Sequence, residues 1–501
     1  MSSVGRKGSR ARPKSDPSRN RMNSSSSTRD TRISSTRRRY SGSTNNSSSG
    51  STPVPSERIK FKTCIRSLIL NTFKERGFVE VEEDDWDIIW ANIEWMRENY
   101  ESTPLIGYRK LNHFKRSFEL TRKDLLAKNL KKYRRTLRKN GIVMPTFFPS
   151  TYVLPADYSL FVEEFKRTPG GVWIMKPIGR AQGKGIFLFE KLRDIEQWKS
   201  QSTEEHRVEN YVVQMYLDHP YLVGGKKFDL RLYVLVVSYR PLVVYIYREG
   251  FARFSFTPYS MDDIDNAYVH LTNVSLQKGS SNYDESIGAK WGLDSLRRYL
   301  NAKHSIEETD ILFAQMQQLV LLSLKSVQNS VIHDPHCFEL YGYDILIDGD
   351  MNPWLIEVNA SPSLSAETQS DKEMKMRLLH DMLSVVDMER RLYLPSMLKT
   401  RRHPLRHDPA LRQVGSFDLV CDGEDVQPEV FASLHGHDPI SVDPLPLFHS
   451  TFGCNIDTTN IKRLEKQAAE ARKSDTPVPK TVSAKNSKKK RRPPSTRRRK
   501  S

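Results

Sequence analysis

The sequence predicts an α+β body with antiparallel sheets, placed between two basic tails. Strand-like apolar runs dominate residues 172–359, and several of them are separated only by turn sequences. A helical pattern, clearest over residues 310–330, interrupts these runs. The two ends differ in composition, since residues 1–57 and 461–501 hold few large apolar side chains. Such segments cannot bury enough surface to offset their ordering entropy, so we expect both tails to be disordered.

The positive charge of the chain is concentrated in those tails. The 501 residues carry a formal charge of +19. The first 58 residues hold 13 basic and 3 acidic side chains, and residues 461–501 hold 16 and 3, which leaves −4 for the remainder. Two basic tails indicate a polyanionic partner, for which nucleic acid, an anionic membrane and an acidic protein surface all remain open.

Several classes of protein are excluded by what the sequence lacks. Its four cysteines lie far apart with no CxxC pair, which argues against a disulfide framework and a structural zinc site. No apolar run reaches the length of a membrane span, and residues 1–30 have no apolar segment of the kind a signal peptide needs. We therefore expect a cytosolic protein that crosses no membrane.

The folded body is predicted to start near Ile59. Phe61–Arg76 places apolar residues at helical spacing, so a helix is predicted there, with Gly77 as its end. Phe78–Val81 follows as a strand. The three tryptophans that come next are expected in the core.

Residues Arg122–Lys139 form a strongly basic helix candidate. Nine of these 18 residues are Lys or Arg against one acid, while Leu126, Leu130, Tyr133 and Leu137 recur at helical spacing. Two interpretations stay open. The segment is either a docked helix with a solvated charged face or a binding face for an acidic partner.

The remaining predicted strands share a high content of β-branched and aromatic residues. They are Val172–Ile178, Ile186–Glu190, Tyr211–Leu217, Phe228–Ser238, Leu242–Arg248, Tyr343–Asp348 and Trp354–Asn359.

The last two of these strands predict a metal site. The turn composition between them suggests that Asp348 pairs with Pro353, which places Asp344 opposite Glu357 and puts Asn359 on the same face. Two opposed carboxylates repel unless a cation lies between them, and hard oxygen ligands suit Mg²⁺ completed by phosphates and water. The alternative is a solvated hairpin face. The side chains expected on the opposite, core face are Ile345, Ile356 and Val358.

A glycine-rich loop between two strands predicts phosphate contacts. Residues 180–186 follow Lys176 and include Lys184 between two glycines, so backbone N–H groups could approach phosphate oxygens closely. The loop is no Walker A motif, because GK[ST] and a following helix are missing. An ordinary tight turn remains the alternative for the loop taken alone.

Three further polar clusters stand beside apolar strands. Asp229 and Arg231 share one face of a predicted strand, Arg253 lies between two aromatic residues, and His270–Asn273 follows an apolar stretch. Charges at the start of a strand are usually solvated, so each cluster is weak evidence by itself.

Taken together, these residues resemble the tubulin–tyrosine ligase-like proteins, and among them the polyglutamylase branch. The resemblance covers roughly residues 58–400. The matching segments are Lys176, Arg180–Ile186 (RAQGKGI), Gln214–Leu217 (QMYL), Lys227–Arg231 (KFDLR), His270–Asn273 (HLTN) and Phe338–Ser363 (FELYGYDILIDGDMNPWLIEVNASPS). The basic tails lie outside it, and the spelling RAQG departs from the family's more frequent RGQG while keeping both loop glycines.

The resemblance implies an α+β ATP-grasp fold of the tubulin–tyrosine ligase type. The domains that it implies, with the tails added, are a disordered tail (1–57), an N-terminal subdomain (58–165), a central ATP-grasp subdomain (166–265), a C-terminal ATP-grasp subdomain with the Mg²⁺ site (266–400), an irregular extension (401–460) and a second disordered tail (461–501).

The resemblance also implies roles for individual residues. Those placed at ATP are Lys176, Arg180, Gln182, Gly183, Lys184, Gly185, Gln214, Met215, Tyr216, Leu217, Lys227, Phe228, Asp229, Thr272 and Asn273. Those placed at the incoming amino acid are Arg253, Ser275, Lys290 and Lys375, whose cations suit the carboxylates of glutamate. Arg231 and Lys176 are the expected catalytic cations, and Asp344, Glu357 and Asn359 are the expected ligands of two Mg²⁺ ions.

By resemblance, the expected function is ATP-dependent polyglutamylation of tubulin. Free L-glutamate would be joined to a glutamate side chain of the acidic tubulin tail, in the cytoskeleton of cilia or flagella, with accessory subunits possible and neither membrane nor nucleic acid as partner. Alternatives that stay open are a ligase for glycine or tyrosine and a non-catalytic microtubule-binding scaffold. A nucleic-acid binder would need aromatic residues among the basic ones, and these are nearly absent from the tails.

Overall fold

The computed structural model describes residues 58–180, 183–195, 210–279, 290–366, 368–388 and 412–423. The two predicted disordered tails lie outside these residues. Within the described part of the chain, no helix combines the length and apolar character that a bilayer span requires. The domain boundaries expected from the resemblance stay predictions.

The first sheet is parallel, unlike the antiparallel sheets expected for the body. Its order is β2-β1-β3-β4. Its strands are β1 (Lys60–Thr63), β2 (Val79–Glu80), β3 (Ile88–Trp90) and β4 (Lys110–Leu111).

The helix predicted over Phe61–Arg76 is wrong in its first half. Residues of β1 alternate between partly exposed and buried positions, with Phe61 and Thr63 buried, and the strand pairs with neighbours on both sides. Helix α1 begins only after Ser67 and spans Leu68–Glu75. Of the apolar residues at helical spacing, Leu68, Ile69 and Phe73 lie in α1, whereas Ile65 lies between β1 and the helix.

The basic helix is confirmed. It spans Lys123–Lys139 as α4, with Leu126, Leu130 and Leu137 buried in the main core and most of its Lys and Arg side chains exposed. The other helices of this region are α2 (Ile93–Asn99), α3 (Phe118–Thr121) and α5 (Tyr158–Arg167).

A second sheet of four antiparallel strands carries the glycine-rich loop. Its order is β5-β8-β6-β7, and three of its strands coincide with predicted ones. Phe161 of α5 packs against Trp173 on one face of this sheet. The strands are β5 (Thr151–Leu154), β6 (Trp173–Pro177), β7 (Phe187–Phe189) and β8 (Tyr211–Met215).

The largest sheet is antiparallel and is built around one 14-residue strand, β10. Its strands are β9 (Leu222–Val223), β10 (Lys226–Tyr239), β11 (Leu242–Tyr247), β12 (Phe251–Phe254), β13 (Lys290–Gly292), β14 (Glu339–Ile347), β15 (Pro353–Asn359), β16 (Gln413–Val414) and β17 (Phe417–Asp422). Strands β16 and β17 lie within residues 401–460, which we expected to be irregular.

Two long helices cover the opposite faces of this sheet. Leu232 and Val234 of β10 belong to the core that includes α9 (Ile306–Val327), whereas Tyr233 and Leu235 belong to the core that includes α10 (Gln369–Val386). The remaining described helices are α6 (Ala267–His270), α7 (Val274–Gln277) and α8 (Leu293–Lys303). The alternation of β10 between two apolar cores explains why it reads as a continuous apolar run.

Candidate functional site

The candidate site begins where one face of β10 changes from apolar to charged. Tyr233 points into the core beneath α10, whereas Lys227, Asp229 and Arg231 occupy the same side of the strand nearer its start. All three charged side chains line a cavity of about 520 Å³. The face is therefore apolar where the helix covers it and polar where the cavity opens.

Cross-strand pairing arranges the site as two rows of charged residues. One row runs from Lys290 through Arg253 to Asp229, because β13 pairs with β12 and β12 with β10. The other runs from Arg231 through Asp344 to Glu357, across strands β10, β14 and β15. Cations and carboxylates thus lie side by side on one sheet face, because directly opposed residues of neighbouring antiparallel strands project to the same side.

The register of the β14–β15 hairpin differs from the predicted one, although the two carboxylates still face each other. Pro353 pairs with Ile347 rather than with Asp348. A β-bulge at Ile356 absorbs this shift of one residue. The bulged residue was expected in the core and instead lines the cavity, whereas the two other residues expected in the core are buried.

Asp344 is held by two arginines. Its carboxylate accepts hydrogen bonds from Arg231 Nε at 2.6 Å and Nη2 at 3.1 Å, and from Arg253 Nη2 at 2.8 Å. Arg253 is fixed from its other side by Asp229, at 2.8 Å and 2.5 Å. Burial alone would raise the pKa of Asp344, but Arg231 and Arg253 outweigh it and lower this pKa to about 2. Asp344 is therefore ionised at neutral pH.

Both arginines keep one nitrogen for a ligand. Within the described part of the chain, the Nη1 atoms of Arg231 and Arg253 make no hydrogen bond, while their other guanidinium edges are anchored. The side chains are about nine-tenths buried but line the cavity. Such fixed, partly desolvated cations suit carboxylate or phosphoryl oxygens.

The three expected magnesium ligands converge. Asn359 Nδ2 lies 3.5 Å from a carboxylate oxygen of Asp344 and 3.5 Å from one of Glu357. The orientation of an Asn amide is assigned from its hydrogen bonds, and turning it over would place its oxygen beside both carboxylates. Three hard oxygen donors then meet at one point, a set that fits Mg²⁺. No cluster of three or more His, Cys, Asp and Glu side chains with metal-site geometry occurs among the described residues.

At the other end of the cavity, Lys227 is buried among neutral partners. Its Nζ donates to Tyr216 Oη at 2.9 Å and to the His270 carbonyl oxygen at 3.0 Å. It also lies 4.5 Å from the centre of the Tyr216 ring. Burial, only partly countered by Asp229, lowers the pKa of Lys227 to about 7. An anionic ligand beside this Nζ would favour its charged form.

Lys176 occupies a similar environment on the second sheet. Its Nζ donates to Gln214 Oε1 at 2.7 Å, and Gln214 in turn donates to Thr151 Oγ1 at 2.8 Å. Burial lowers the pKa of Lys176 to about 8, with Glu357 opposing the shift. Apolar residues line the cavity nearby, among them Ile174, Ile186, Met215 and Leu271. Buried cations next to apolar walls suit the phosphates and the base of a nucleotide.

The glycine-rich loop is described only in part. Gly183 and Gly185 adopt φ values of +77° and +73°, which other residues adopt at a cost in strain. Gly183 lines the cavity beside Asn273. Lys184 is exposed and does not line it, and Gln182 lies outside the described residues.

The residues expected at the amino acid gather around Phe251 and the start of α10. Lys290 and Lys375 each lie 3.0 Å from the buried carboxylate of Asp371, and both ammonium groups lie within 6 Å of the Phe251 ring centre. Ser275 lines the same cavity. Asp371 thereby fixes the position of two cations at the cavity wall.

The structure gathers most of the predicted site residues around a single cavity. Those that line it are Lys176, Arg180, Gly183, Gln214, Met215, Tyr216, Leu217, Lys227, Asp229, Arg231, Arg253, Thr272, Asn273, Ser275, Lys290, Asp344, Glu357, Asn359 and Lys375. The described residues that do not are Lys184, Gly185 and Phe228, the last of which is buried in the main core.

Sequence reasoning gave no site role to three residues that shape the site. Lys123, the first residue of α4, lines the cavity with Nζ 3.5 Å from Glu357. The Nδ1 atom of His270 is hydrogen-bonded to Tyr216 Oη at 2.9 Å. Asp371 could have been found, because it stands four residues before Lys375 in a helix, the spacing of an ion pair. No sequence signal connects Lys123 with Glu357.

Comparison with known proteins gives the same assignment as the motifs. The sequence model of the Tubulin-tyrosine ligase family matches residues 98–392. Probable tubulin polyglutamylase TTLL9 of Bos taurus is 44% identical over 408 residues, covering 74% of this chain and 85% of the relative. Probable tubulin polyglutamylase ttll-9 of Caenorhabditis elegans is 48% identical over 341 residues, covering 67% and 82%. Probable alpha-tubulin polyglutamylase Ttll1 of Tetrahymena thermophila is 44% identical over 358 residues, covering 66% and 86%.

The fold and the sequence match thus define a mixed α/β protein that carries a tubulin–tyrosine ligase domain. The chain is a member of the tubulin–tyrosine ligase family.

Proposed function

We propose that this protein is an ATP-dependent tubulin polyglutamylase. It joins free L-glutamate, through its amino group, to a glutamate side-chain carboxylate of the acidic tubulin tail. The observation that carries the proposal is the sheet face on which Arg231, Asp344 and Glu357 form one row and Lys290, Arg253 and Asp229 form the other. The relatives named tubulin polyglutamylases support the choice of substrate.

ATP binds between the second sheet and the large sheet in this proposal. Gln214–Leu217 provides the backbone groups beside the adenine, and the apolar cavity residues pack on its faces. Lys176, Arg180 and Lys227 contact the phosphates, together with the backbone of the glycine-rich loop. Desolvated lysines are effective here because their attraction to phosphate is screened less than in water.

Asp344, Glu357 and Asn359 would hold two Mg²⁺ ions. Bound there, the ions would supply positive charge that offsets the charge of the phosphates. The fit rests on Asn359, whose amide lies 3.5 Å from a carboxylate oxygen of Asp344 and 3.5 Å from one of Glu357.

The chemistry consists of two balanced steps. An oxygen of the acceptor carboxylate attacks the γ-phosphorus of ATP, and ADP leaves as the acylphosphate forms. The amino nitrogen of glutamate then attacks the acyl carbon, loses a proton, and expels inorganic phosphate as the amide bond forms. Arg231 Nη1 stabilises the negative oxygen of the tetrahedral intermediate, because its guanidinium is already fixed by Asp344.

The incoming glutamate binds at the amino-acid end of the cavity. Arg253 Nη1, Lys290 and Lys375 pair with its two carboxylates, and Ser275 provides a further hydrogen bond. A ligase for glycine would need fewer cations, because glycine has no side-chain carboxylate. We further propose that the protein acts on microtubules of cilia or flagella, together with accessory subunits, as the resemblance to the family implies.

The test is incorporation of labelled glutamate, glycine or tyrosine into purified microtubules with Mg·ATP, for the wild type and for Glu357→Gln. Asp350→Asn, in the exposed turn of the same hairpin, is the matched control. We expect glutamate incorporation by the wild type and the control, and a loss of at least about 100-fold in Glu357→Gln. Incorporation of glycine or tyrosine instead, or activity unchanged in Glu357→Gln, would contradict the proposal.

A further inference from the structure

The basic helix α4 carries far more positive charge than its packing uses. Its 17 residues include eight Lys or Arg and a single acid, Asp124, which pairs with Arg122 just outside the helix at 2.8 Å. Leu126, Leu130 and Leu137 dock it on the main core. The charged side of the helix is therefore fixed in position but not neutralised by its own sequence.

The basic residues of α4 fall into two groups at 100° per residue. The inner stripe consists of Lys123, Lys131, Arg134 and Arg138, which project within about 80° of one another, next to the buried face. The outer stripe consists of Lys128, Lys132, Arg135 and Lys139, which project away from the protein.

The two middle residues of the inner stripe contact residues 145–157, which form a seam with α4. Arg134 Nη2 lies 3.5 Å from the Pro145 carbonyl oxygen. Lys131 Nζ lies 4.7 Å from the centre of the Tyr152 ring and 3.8 Å from a carboxylate oxygen of Asp157. Burial lowers the pKa of both Lys131 and Arg134. Both side chains are exposed at the protein surface, where their attraction to an anion in the seam is screened less than it would be in bulk water.

The seam ends at the cavity. Pro149, on the segment beside the helix, and Lys123, at the start of the inner stripe, both line the cavity. Lys123 Nζ is 3.5 Å from Glu357. The stripe from Lys123 to Arg138 is about 22 Å long at 1.5 Å per residue, which matches about seven residues of an extended peptide.

We propose that the inner stripe binds the acidic peptide that carries the acceptor carboxylate and directs it along the seam into the cavity at Lys123. The proposal rests on the function proposed above and assigns the acceptor side of the same site. Its basis is charge complementarity between a row of four cations and a chain of carboxylates.

An acidic peptide fits this surface better than a nucleic acid does. Single-stranded nucleic acids bind through bases stacked on exposed aromatic rings. Among the described residues along the inner stripe, Tyr152 already packs under Lys131, and Tyr133 is half-buried against the main core. The seam therefore offers cations without a free stacking platform.

The first test compares two double variants. Each removes two positive charges from α4, and the substituted positions of one variant are shifted by one residue relative to those of the other. Arg134→Gln with Arg138→Gln neutralises the inner stripe, and Arg135→Gln with Lys139→Gln neutralises the outer stripe; all four side chains are exposed. We expect the inner variant to raise the KM for microtubules about 10-fold, with kcat and the KM values for ATP and glutamate unchanged. The outer variant should raise the KM for microtubules by no more than about twofold. Equal effects of the two variants, or no effect of either, would overturn the proposal.

A second test does not depend on catalysis. The full-length chain and both variants are titrated with a fluorescent oligoglutamate peptide and, separately, with a fluorescent oligoribonucleotide, by anisotropy at two salt concentrations. Weaker binding of oligoglutamate by the inner variant alone supports the proposal, and tighter binding of the RNA, lost in the inner variant, overturns it. If the wild type incorporates no glutamate, the proposed function fails, but this titration still decides what the stripe binds.

Discussion

At the scale of single residues, the site consists of charges whose states are fixed by their neighbours. Lys227 shows this most clearly, because its Nζ is surrounded by a tyrosine hydroxyl and a backbone carbonyl. The motif in the sequence identifies the residue as functional, but it does not reveal that the group is desolvated. That property depends on Tyr216 and His270, which come from other elements of the fold.

The burial of Lys227 predicts how stability depends on pH. Its pKa is about 7 in the folded protein against an ordinary 10.5, so between these values the unfolded chain binds more protons. Without nucleotide, stability should therefore rise as the pH increases from about 7 towards about 10. Lys227→Met removes this contribution and should raise the melting temperature at pH 7 while abolishing ATP binding.

Thermal unfolding of the wild type, Lys227→Met and Lys226→Met at several pH values checks this prediction. The neighbouring Lys226 projects to the other side of the strand and is the control. If Lys226→Met reduces the pH dependence as much as Lys227→Met does, burial of Lys227 is not its origin.

Asp344 and Glu357 face each other but should respond differently to substitution. Asp344 binds Arg231 and Arg253 and is almost fully buried, whereas Glu357 is one-quarter exposed with Lys123 as its ion-pair partner at 3.5 Å. Removing one member of a buried ionic network leaves charges uncompensated, at a cost of about 3–5 kcal/mol.

We therefore expect Asp344→Asn to lower the free energy of unfolding by about 3 kcal/mol, and Glu357→Gln to change it by less than about 1 kcal/mol. Both substitutions should abolish activity. Urea unfolding monitored by tryptophan fluorescence measures the difference. Similar losses of stability in the two variants would show that the arginines do not depend on Asp344.

At the scale of secondary-structure elements, local patterns predicted the type of most segments but not their register. The strand on which Asp229 and Arg231 lie, and the helix that starts at Lys123, follow from alternation and from helical spacing. The pairing of Asp344 with Glu357 was predicted from an incorrect turn register. The prediction is nevertheless correct, because the bulge at Ile356 compensates for the shift of one residue. A bulge is set by packing on both faces of the sheet, so the hairpin sequence alone does not show it.

Strand β17 provides a prediction at this scale, because it lies in a region without an obvious sequence pattern. It pairs with β11, and Phe417 and Leu419 are buried in the core beneath α10. Asp418 is fully buried and accepts two hydrogen bonds from Arg248, at 2.8 Å and 2.6 Å. The ion pair helps to fix the register of β17, which pairs with β11 on one side and with the short strand β16 on the other.

Asp418→Ala should therefore destabilise the protein by about 3 kcal/mol, since it leaves the Arg248 guanidinium without its carboxylate. Asp350→Ala, in an exposed turn, should change stability by less than about 0.5 kcal/mol. Chemical denaturation of both variants distinguishes them. A small effect of Asp418→Ala would mean that β17 is held by its apolar residues alone.

At the scale of the whole molecule, the site depends on contacts between distant parts of the sequence. Arg231 and Asp344 are 113 residues apart, and Lys123 approaches Glu357 across a still larger separation. Motif resemblance identifies such residues as members of one site without specifying their geometry. Strand order in an antiparallel sheet is not encoded locally, so the two charged rows could be described only from the structure.

The distribution of charge over the chain leads to the last prediction. The chain outside its first 58 and last 41 residues has a charge of −4, so at long range it is not attracted to an acidic microtubule surface. Within it, the inner stripe of α4 acts only at short range, over about one Debye length of 8 Å at physiological salt. The tails, with 28 of the 79 Lys and Arg residues, should therefore supply the long-range attraction. Removing residues 1–57 and 461–501 should weaken microtubule binding about 10-fold or more and flatten its salt dependence, while kcat on a soluble acidic peptide stays unchanged.

Co-sedimentation of the full-length and shortened chains with microtubules at several salt concentrations measures the binding, and glutamylation of the peptide measures kcat. Unchanged microtubule affinity in the shortened chain would assign the whole attraction to the body, and a lower kcat on the peptide would show that the tails also act at the site.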